Sequence, residues 1–404
     1  MQSRDSRLQT PDDGEGREGY RVSPAAGALR APPWLRQSLS IYLRLQEVEP
    51  GRSVPAGRRN NSLAVEIVAD REIWDSFIDA GPSGLLFHKW DFLTITQRHT
   101  GYAFLPYGIY KGEELVAVCP LFCRQANGIS VVLSPPPMQA VIPYLGVVMG
   151  REYATAKQSK KESMLQLMAD GIGEAVRDLA PNYLSMTFAP GFHDIRPFIW
   201  DGYLTRINYS YAIDLAPPLE TLWGNLNAKL RTSLRRFEKD GYYLEEGDSL
   251  TRFYETVRQR FSHPEMDIPM ITRDYFEDIF HAYPDHAHVY HLYDRDGDLK
   301  GVGTTLEYRR YILWVGGPKI NGTSANEYLQ WCLLRDAKAK GFSEFENTGA
   351  NNPNLNMHKA KYNPDLAIFF EVSRKDGVGR VAEWAYSNIV NRPLIKRRVV
   401  PYIR

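Results

Sequence analysis

Apolar and polar residues alternate from Ser62 onward in a way that predicts a series of strands and helices. The first stretch, LAVEIVAD, has the two-residue period of a strand, and REIWDSFIDAG has the spacing of an amphipathic helix. Three apolar runs follow as an antiparallel meander, joined by the hairpin turns KGEE and ANGI. A helix from about Lys160 to Leu179 and the strand NYLSMTF come next, and YSYAIDL closes this unit near Asp214.

The same order of elements recurs in the second half of the chain. Helices are predicted over 219–240, 250–263 and 272–281, followed by a meander of AHVYHLYDR, LKGVGTTLEYR and RYILWVGG. A helix over 324–341, with Ser324 as its predicted capping residue, and a strand over 342–347 complete this half, about 160 to 180 residues after their counterparts. We interpret the pattern as a structural duplication in which each half joins an antiparallel meander to a parallel βα unit. The predicted fold class is therefore α/β (mixed α+β), with helices flanking mixed, mostly antiparallel sheets.

Composition divides the chain into four parts. Residues 1–61 are rich in Arg, Gly, Pro, Ser and Asp, which predicts a disordered tail. Residues 62–214 and 215–376 are the two duplicated domains, and the second of them begins with a basic helical segment. Residues 377–404 comprise a short helix, predicted from Gly379 to Ile389, and the basic end RPLIKRRVVPYIR.

Charge and cysteine content limit the possible partners. The 49 Lys and Arg residues balance 48 Asp and Glu residues, which argues against non-specific nucleic-acid binding by the whole surface. The three cysteines, Cys119, Cys123 and Cys332, do not have the spacing of a zinc site and suit a reducing, cytoplasmic location. We expect no transmembrane segment, because no apolar run approaches ~18 residues, and any membrane contact is expected to be peripheral.

Metal binding and nucleotide binding of the common kinds are not predicted. His286, His288 and His291 lie close in sequence, but no carboxylate at a matching spacing completes a metal site. The run DRDGD is interpreted as a hairpin turn, since its glycine is one place early for a calcium loop. The chain contains no Walker loop, dinucleotide fingerprint or nucleophile elbow.

Two stretches carry candidate chemistry. The first, Ser324 to Asn363, is a helix, a short strand and a polar loop that ends in lysines, and such loops often hold the functional residues of α/β folds. In the second, LNAKLRTSLRRFEKDGYYLEEG, Arg231 and Arg235 stand four residues apart on one helical face beside Arg236. This face has two interpretations: a site for phosphate groups, or a solvated helix surface.

Together these stretches resemble the FemAB-like branch of the GNAT acyltransferase fold. The shared features are the basic helix with an Arg, three residues and an Arg-Arg pair, and a long helix, a glycine, a strand, a further glycine and a lysine three residues before an aromatic residue. In this chain the second set is Gly341, Glu346, Asn347, Gly349, Lys359 and Tyr362. The resemblance covers about Ser62 to Arg374 and implies two tandem GNAT-like domains.

The resemblance implies transfer of an aminoacyl group from tRNA, or of an acyl group from coenzyme A, to an amine. Known acceptors in the family include cell-envelope and polysaccharide precursors. The chain departs from the family pattern in three ways: it lacks the usual pyrophosphate loop, and it has His358 before Lys359 and Asn363 in place of a final glycine. The donor, acyl-CoA or aminoacyl-tRNA, therefore stays open, and no tightly bound cofactor is expected.

The resemblance also assigns candidate roles. Lys359 is the candidate catalytic residue, a cation that stabilises a tetrahedral intermediate by ~3 kcal/mol, although a surface lysine is the alternative interpretation. Trp314 and Gly316 end a strand where a donor backbone can lie between diverging strands, or where the chain simply turns. The remaining candidate binding residues are Arg231, Arg235, Arg236, Asn347, Lys361 and Tyr362. A different class of function also stays open: a non-catalytic module whose basic helix and C-terminus hold RNA or an anionic membrane surface.

Overall fold

The computed structural model of the chain describes residues 63–126, 128–137, 142–247, 250–261, 272–316 and 325–385. The strands are β1 (Leu63–Ile67), β2 (Ala103–Lys111), β3 (Glu114–Ala126), β4 (Ile129–Ser134), β5 (Val148–Met149), β6 (Tyr183–Thr187), β7 (Leu204–Asp214), β8 (Tyr243–Gly247), β9 (Ala287–Tyr293), β10 (Leu299–Glu307), β11 (Tyr311–Gly316), β12 (Glu344–Asn347) and β13 (Asp365–Lys375). The helices are α1 (Arg71–Ala80), α2 (Trp90–Thr100), α3 (Arg151–Thr155), α4 (Gln158–Leu179), α5 (Arg196–Trp200), α6 (Leu219–Asn225), α7 (Ala228–Lys239), α8 (Leu250–Phe261), α9 (Arg273–Ala282), α10 (Ala325–Ala339), α11 (Pro353–Lys359) and α12 (Gly377–Ala385). None of these described helices is both long and apolar enough to cross a bilayer.

All of the strands belong to one mixed sheet. Its order is β1-β2-β3-β4-β6-β13-β7-β12-β11-β10-β9-β8, and β5 pairs with β3 beside this path. Each half is an antiparallel meander that ends in a parallel pair, β4 with β6 in the first half and β11 with β12 in the second. The predicted duplication and the predicted mixed α/β fold class are thereby confirmed.

The two halves exchange their last strands. Strand β7 follows the first half in sequence but pairs with β12 of the second half. Strand β13 follows the second half but pairs with β6 of the first. The exchanged strands also pair with each other, from Asp365 opposite Ala212 to Ser373 opposite Leu204. The sheet is therefore continuous across the predicted domain boundary at 214/215, and the boundary itself stays a prediction.

Helices cover both faces of the sheet. On one face, α1 and α2 of the first half share a core with α8 and α9 of the second, where the Phe92 and Trp314 rings lie 6.0 Å apart. On the other face, α4 packs on the first half, since Gly171 lies against Ile109, whose side chain is on the side of β2 opposite Phe104. Helices α6, α7 and α10 cover the second half there, over Phe345 of β12.

Three predicted elements differ from those observed. The predicted helix 219–240 is two helices, because the Asn227 side chain accepts a hydrogen bond from the Lys229 amide and starts α7 afresh. The predicted polar loop before Lys359 contains α11, which Asn352 caps in the same way. Strand β13 was not predicted at all.

Other predictions meet the structure with smaller differences. Helix α10 ends as expected before Gly341, which has a φ of 81°. The C-terminal helix, expected to begin near Gly379, begins at Gly377 and is described as far as Ala385. The proposed capping residue Ser324 and the turn residue Asn127 lie outside the described residues.

Candidate functional site

The candidate site begins where β11 and β12 stop pairing. These parallel strands are paired from Tyr311–Phe345 to Leu313–Asn347. Beyond Leu313, β11 continues beside β10 alone, as far as Gly316 opposite Gly303. A gap between β11 and β12 therefore opens next to Asn347, the buried last residue of β12.

Trp314 and Gly316 lie on the β11 side of this gap. The Trp314 side chain is 5% exposed and packs against Phe92 and Phe276 in the core, and its predicted binding role stays a prediction. Gly316 is exposed, and a Cβ atom there would meet Leu313 only at ordinary contact distance. The packing of the protein itself therefore does not require glycine at position 316.

Lys359 lies on the β12 side, at the last residue of α11 rather than in a loop. Its Nζ donates hydrogen bonds to the carbonyl oxygens of Thr348 and, at 2.9 Å, Gly349, the residues that follow β12. Burial lowers the pKa of Lys359 to about 8, against the opposing effect of the Glu346 carboxylate. The side chain is therefore a cation at neutral pH, but it loses its proton at a lower pH than an ordinary lysine does.

Behind this lysine, Glu346 is a fully buried carboxylate at 1% exposure. Its oxygens accept a hydrogen bond from Ser210 Oγ at 2.8 Å and pair with Arg310 Nη1 at 3.3 Å. Arg310 also pairs with Glu344 at 3.2 Å and donates to the carbonyl oxygen of Pro190 at 3.1 Å. Because Pro190 belongs to the first half and β12 to the second, this ion cluster joins the two halves beside the gap.

Tyr144 of the first half completes the cluster. Its side chain is fully buried, and its ring lies 5.6 Å from that of Phe369 on β13. Burial, together with the neighbouring Glu346 carboxylate, raises the pKa of Tyr144 well above its ordinary value, so the hydroxyl stays protonated. Among the described atoms its oxygen has no hydrogen-bond partner.

Lys361 and Tyr362 secure the chain after α11. Lys361 Nζ pairs with the Glu327 carboxylate of α10, and the Tyr362 hydroxyl donates to the Glu327 carbonyl oxygen. Asn363 has a φ of 52°, the left-handed conformation that the family's glycine would adopt and that asparagine tolerates. These contacts give Lys361 and Tyr362 a structural role, and their predicted binding role is not needed to explain them.

The polar segment and the basic helix meet at one point. The Asn227 amide, at the start of α7, donates to the Lys361 carbonyl oxygen at 2.9 Å. Arg231 turns back from α7 and donates from Nη1 to the carbonyl oxygens of Gly224 and, at 2.8 Å, Leu226. Its guanidinium is therefore engaged by the end of α6 and is not directed outward as a phosphate ligand.

The other two arginines of α7 are accessible. The Arg235 guanidinium lies 5.5 Å from the centre of the Trp223 ring, a cation–π contact, and the residue is exposed. The Arg236 side chain is 83% exposed and pairs loosely with Asp240 at 3.4 Å. Of the three arginines predicted to bind phosphate, Arg235 and Arg236 are therefore the ones available to an anion.

The three histidines noted in the sequence have structural surroundings. His286 and His288 contact residues of the protein itself, and His291 is buried. His288 pairs with Glu246 and lies 3.8 Å from Glu307, and His286 Nδ1 is 2.7 Å from the Glu307 carbonyl oxygen. Within the part of the chain that the structure describes, no group of three His, Cys, Asp or Glu side chains is arranged to hold a metal.

Sequence reasoning did not identify four of the residues that surround the site, which are Tyr144, Ser210, Arg310 and Thr348. Glu346 was located by the family pattern, as the acidic residue near the end of the strand that precedes Gly349. Arg310 carried no such pattern, because its partners come from β12 and from the first half of the chain.

Comparison with known proteins agrees with this architecture. A family model described as an acetyltransferase (GNAT) domain matches residues 224–356. The solved structure of FemX is similar with a TM-score of 0.58 at 12% identity, covering 76% of this chain and 96% of that one. A search of curated proteins found no match.

Two further solved structures match over similar lengths. L-PGS from Bacillus licheniformis has a TM-score of 0.48 at 14% identity, covering 80% of this chain and 98% of that one. A tandem GNAT protein from the clavulanic acid biosynthesis pathway has a TM-score of 0.47 at 10% identity, covering 78% and 98%. The likeness to FemX supports the fold.

Proposed function

We propose that this chain, a FemAB-like protein of the GNAT superfamily, transfers an acyl or aminoacyl group from acyl-CoA or aminoacyl-tRNA to an amine. The observation that supports the proposal is the position of Lys359, a half-buried cation at the gap where β11 and β12 separate. The family resemblance makes a cell-envelope or polysaccharide precursor the preferred acceptor.

In the proposed reaction the donor carbonyl lies in the gap next to Lys359. An ammonium group has three N–H donors, and two of them are taken by the carbonyl oxygens of Thr348 and Gly349. The third can donate to the oxyanion of the tetrahedral intermediate, where such a contact contributes about 3 kcal/mol. The two backbone acceptors hold the ammonium in place before the substrate arrives.

Amide formation then replaces the donor's thioester or ester bond by an N–C bond and moves one proton. The acceptor nitrogen forms the new N–C bond, the thioester C–S or ester C–O bond breaks, and the proton lost by the amine goes to the leaving sulfur or ribose oxygen. Both Glu346 oxygens are already engaged by Ser210 and Arg310, which makes this buried carboxylate a poor general base. We therefore favour a substrate-assisted proton transfer.

The donor phosphates are assigned to the exposed arginines of α7. Arg235 and Arg236 can make charge-assisted contacts to coenzyme A or to the acceptor end of a tRNA. Arg231 is left out of this role, because its guanidinium already binds the end of α6.

The test is to incubate the protein separately with radiolabelled aminoacyl-tRNA and with radiolabelled acyl-CoA, each with a cell extract. The substrate whose label is transferred is the donor, and the labelled product narrows the range of possible acceptors.

Lys359→Ala should lower the transfer rate ~100-fold or more with an unchanged fold. The matched control is Lys338→Ala, because Lys338 Nζ also donates to a backbone carbonyl, that of Leu215 at 2.7 Å, but away from the gap. Equal losses in the two variants would remove Lys359 from the mechanism.

A further inference from the structure

A cavity of about 200 Å³ lies where β7 ends and β13 begins. Asp214, the last residue of β7, lines this cavity and pairs with Glu344 at the first position of β12. The gap beside Lys359 opens at the opposite end of β12, next to Asn347. Three residue steps along a strand span about 10 Å. The cavity is therefore separate from the candidate site.

The floor of the cavity is apolar. Its residues come from β7, from α6 and the position after it, from α10 and from the segment after α11, and they belong to one core cluster in which none of them is more than 6% exposed: Ile213, Leu222, Leu226, Leu334 and Tyr362. The Tyr362 hydroxyl already donates to the Glu327 carbonyl oxygen, so the polar group of this side chain is engaged. A ligand in the cavity therefore rests on hydrocarbon.

The rim of the cavity is polar and carries net negative charge. It includes the exposed residues Asp214, Asp365, Asn225 and Asn363. Within the described part of the chain, neither carboxylate forms an ion pair, and Asp214 Oδ1 accepts only the Ala216 amide at 2.9 Å.

The ammonium group of Lys338 does not neutralise this rim. Its Nζ donates to the Leu215 carbonyl oxygen at 2.7 Å and is not paired with the neighbouring Asp214. Two carboxylates beside one ammonium leave the rim attractive to a cation and repulsive to an anion.

The floor and the rim together indicate the chemical class of a ligand. Binding sites for small molecules are mostly apolar, with a few polar groups that fix the orientation of the ligand. A bare metal ion fits poorly, because hard cations need oxygen ligands on several sides. In the residues that the structure describes, no three His, Cys, Asp or Glu side chains are arranged to hold one. An organic cation satisfies both parts of the cavity.

We propose that this cavity binds a small organic ammonium ion. The hydrocarbon part of the ligand lies on the apolar floor, and its nitrogen pairs with the carboxylates of Asp214 and Asp365. The side-chain oxygens of Asn225 and Asn363 are further acceptors for the N–H groups of an ammonium. The proposal does not depend on the acyl-transfer reaction, since the cavity is separate from the gap.

The test is titration calorimetry of the full chain with four probes: n-hexylammonium, n-butylammonium, n-hexanol and hexanoate. Hexylammonium should bind with a Kd in the millimolar range. Butylammonium should bind about tenfold more weakly, because two fewer methylene groups are buried. Hexanol and hexanoate should each bind at least about tenfold more weakly, because they lack the charged hydrogen-bond donor. Hydrogen exchange with hexylammonium present should slow in residues 213–226 and 362–365.

The variant Asp214→Asn/Asp365→Asn should bind hexylammonium at least about tenfold more weakly, with an unchanged fold by circular dichroism. The matched control is Asp201→Asn/Asp285→Asn, which makes the same change of charge at exposed residues that do not line the cavity. This control should bind as the wild type does. Equal binding of hexanol and hexylammonium, or unchanged binding by Asp214→Asn/Asp365→Asn, would overturn the proposal. So would the absence of any binding, or slowed exchange only in other segments.

Discussion

At the scale of single residues, Lys359 makes the activity sensitive to pH. Burial lowers its pKa to about 8, so the proposed oxyanion contact weakens as the pH rises through that value. We expect the transfer rate at saturating substrate to fall above pH about 8. In Lys359→Arg the falling limb should move to higher pH, because a guanidinium keeps its proton. The pH–rate profile of both proteins checks this, and an unmoved limb in Lys359→Arg would assign the ionisation to another group.

The same pKa predicts a dependence of stability on pH. The folded pKa of about 8 lies below the ordinary value of 10.5, so between these values the unfolded chain binds more protons than the folded one. Stability must therefore rise with pH across this window. The free energy of unfolding of the wild type, minus that of Lys359→Met, should be flat below pH about 8 and rise toward pH about 10.5. Urea titrations of both proteins across this range measure it, and a difference that falls would contradict the burial of this ammonium.

Removing one partner of the Arg310–Glu346 pair should be costly, because the Glu346 carboxylate is buried. Arg310→Met leaves the Glu346 carboxylate without its cation, and we expect a loss of about 3 kcal/mol or more. The double variant Arg310→Met/Glu346→Gln should lose less than the sum of the single variants, with a coupling of ~1–3 kcal/mol. The control pair is Arg273–Glu277, at 2.6 Å but nearly half exposed, where about 0.5 kcal/mol is expected. Additive losses at Arg310 and Glu346 would show that they do not act as a pair.

The sequence alone could predict the place of some residues in the site but not of others. Lys359, and Asn363 in place of a glycine, could be located because the family pattern lies within one short stretch of chain. Arg310 could not, because its partner Glu346 is on a different strand and its backbone acceptor Pro190 is in the other half. Arg231 was predicted as a phosphate ligand because spacing places it on the face of Arg235, but spacing does not show that it bends back to α6.

At the scale of elements, the arginines of α7 have two different expected roles. Arg231 holds the end of α6, and Arg235 and Arg236 are the proposed contacts to the donor. Arg231→Ala removes two hydrogen bonds to the end of α6 and should lower stability by about 1–2 kcal/mol with little change in KM for the donor. Arg235→Ala/Arg236→Ala should leave stability unchanged and raise that KM about tenfold, by loss of charge-assisted contacts. Thermal unfolding and steady-state kinetics together check the split. A KM effect confined to Arg231→Ala would reverse the assignment.

Two elements escaped sequence prediction for identifiable reasons. The stretch before Lys359 is rich in Asn and Gly, which favours a loop, but Asn352 and Pro353 form a helix start and produce α11. In β13 the adjacent Phe369 and Phe370 break the alternation expected of a strand. A strand in the middle of a sheet can carry apolar residues on both faces, so it lacks the two-residue period by which strands are recognised in a sequence.

At the scale of the whole molecule, the strand exchange predicts that neither half folds alone. A fragment of residues 1–214 lacks β13 and leaves the edge of β6 unpaired, while a fragment of residues 215–404 lacks β7 beside β12. Each fragment should be insoluble when expressed separately, and co-expression should restore a soluble pair. Size-exclusion chromatography checks this outcome. A monomeric, cooperatively folded 1–214 fragment would contradict it.

The exchange also orders events during synthesis on the ribosome. Strand β6 leaves the exit tunnel well before its partner β13, because the whole second half of the sheet lies between them in sequence. The first half must therefore wait, with an open sheet edge, until β13 has been made. Such long-range pairing slows folding and leaves the nascent chain exposed to aggregation. A cell that makes this protein must shield an unfinished sheet while the second half is made.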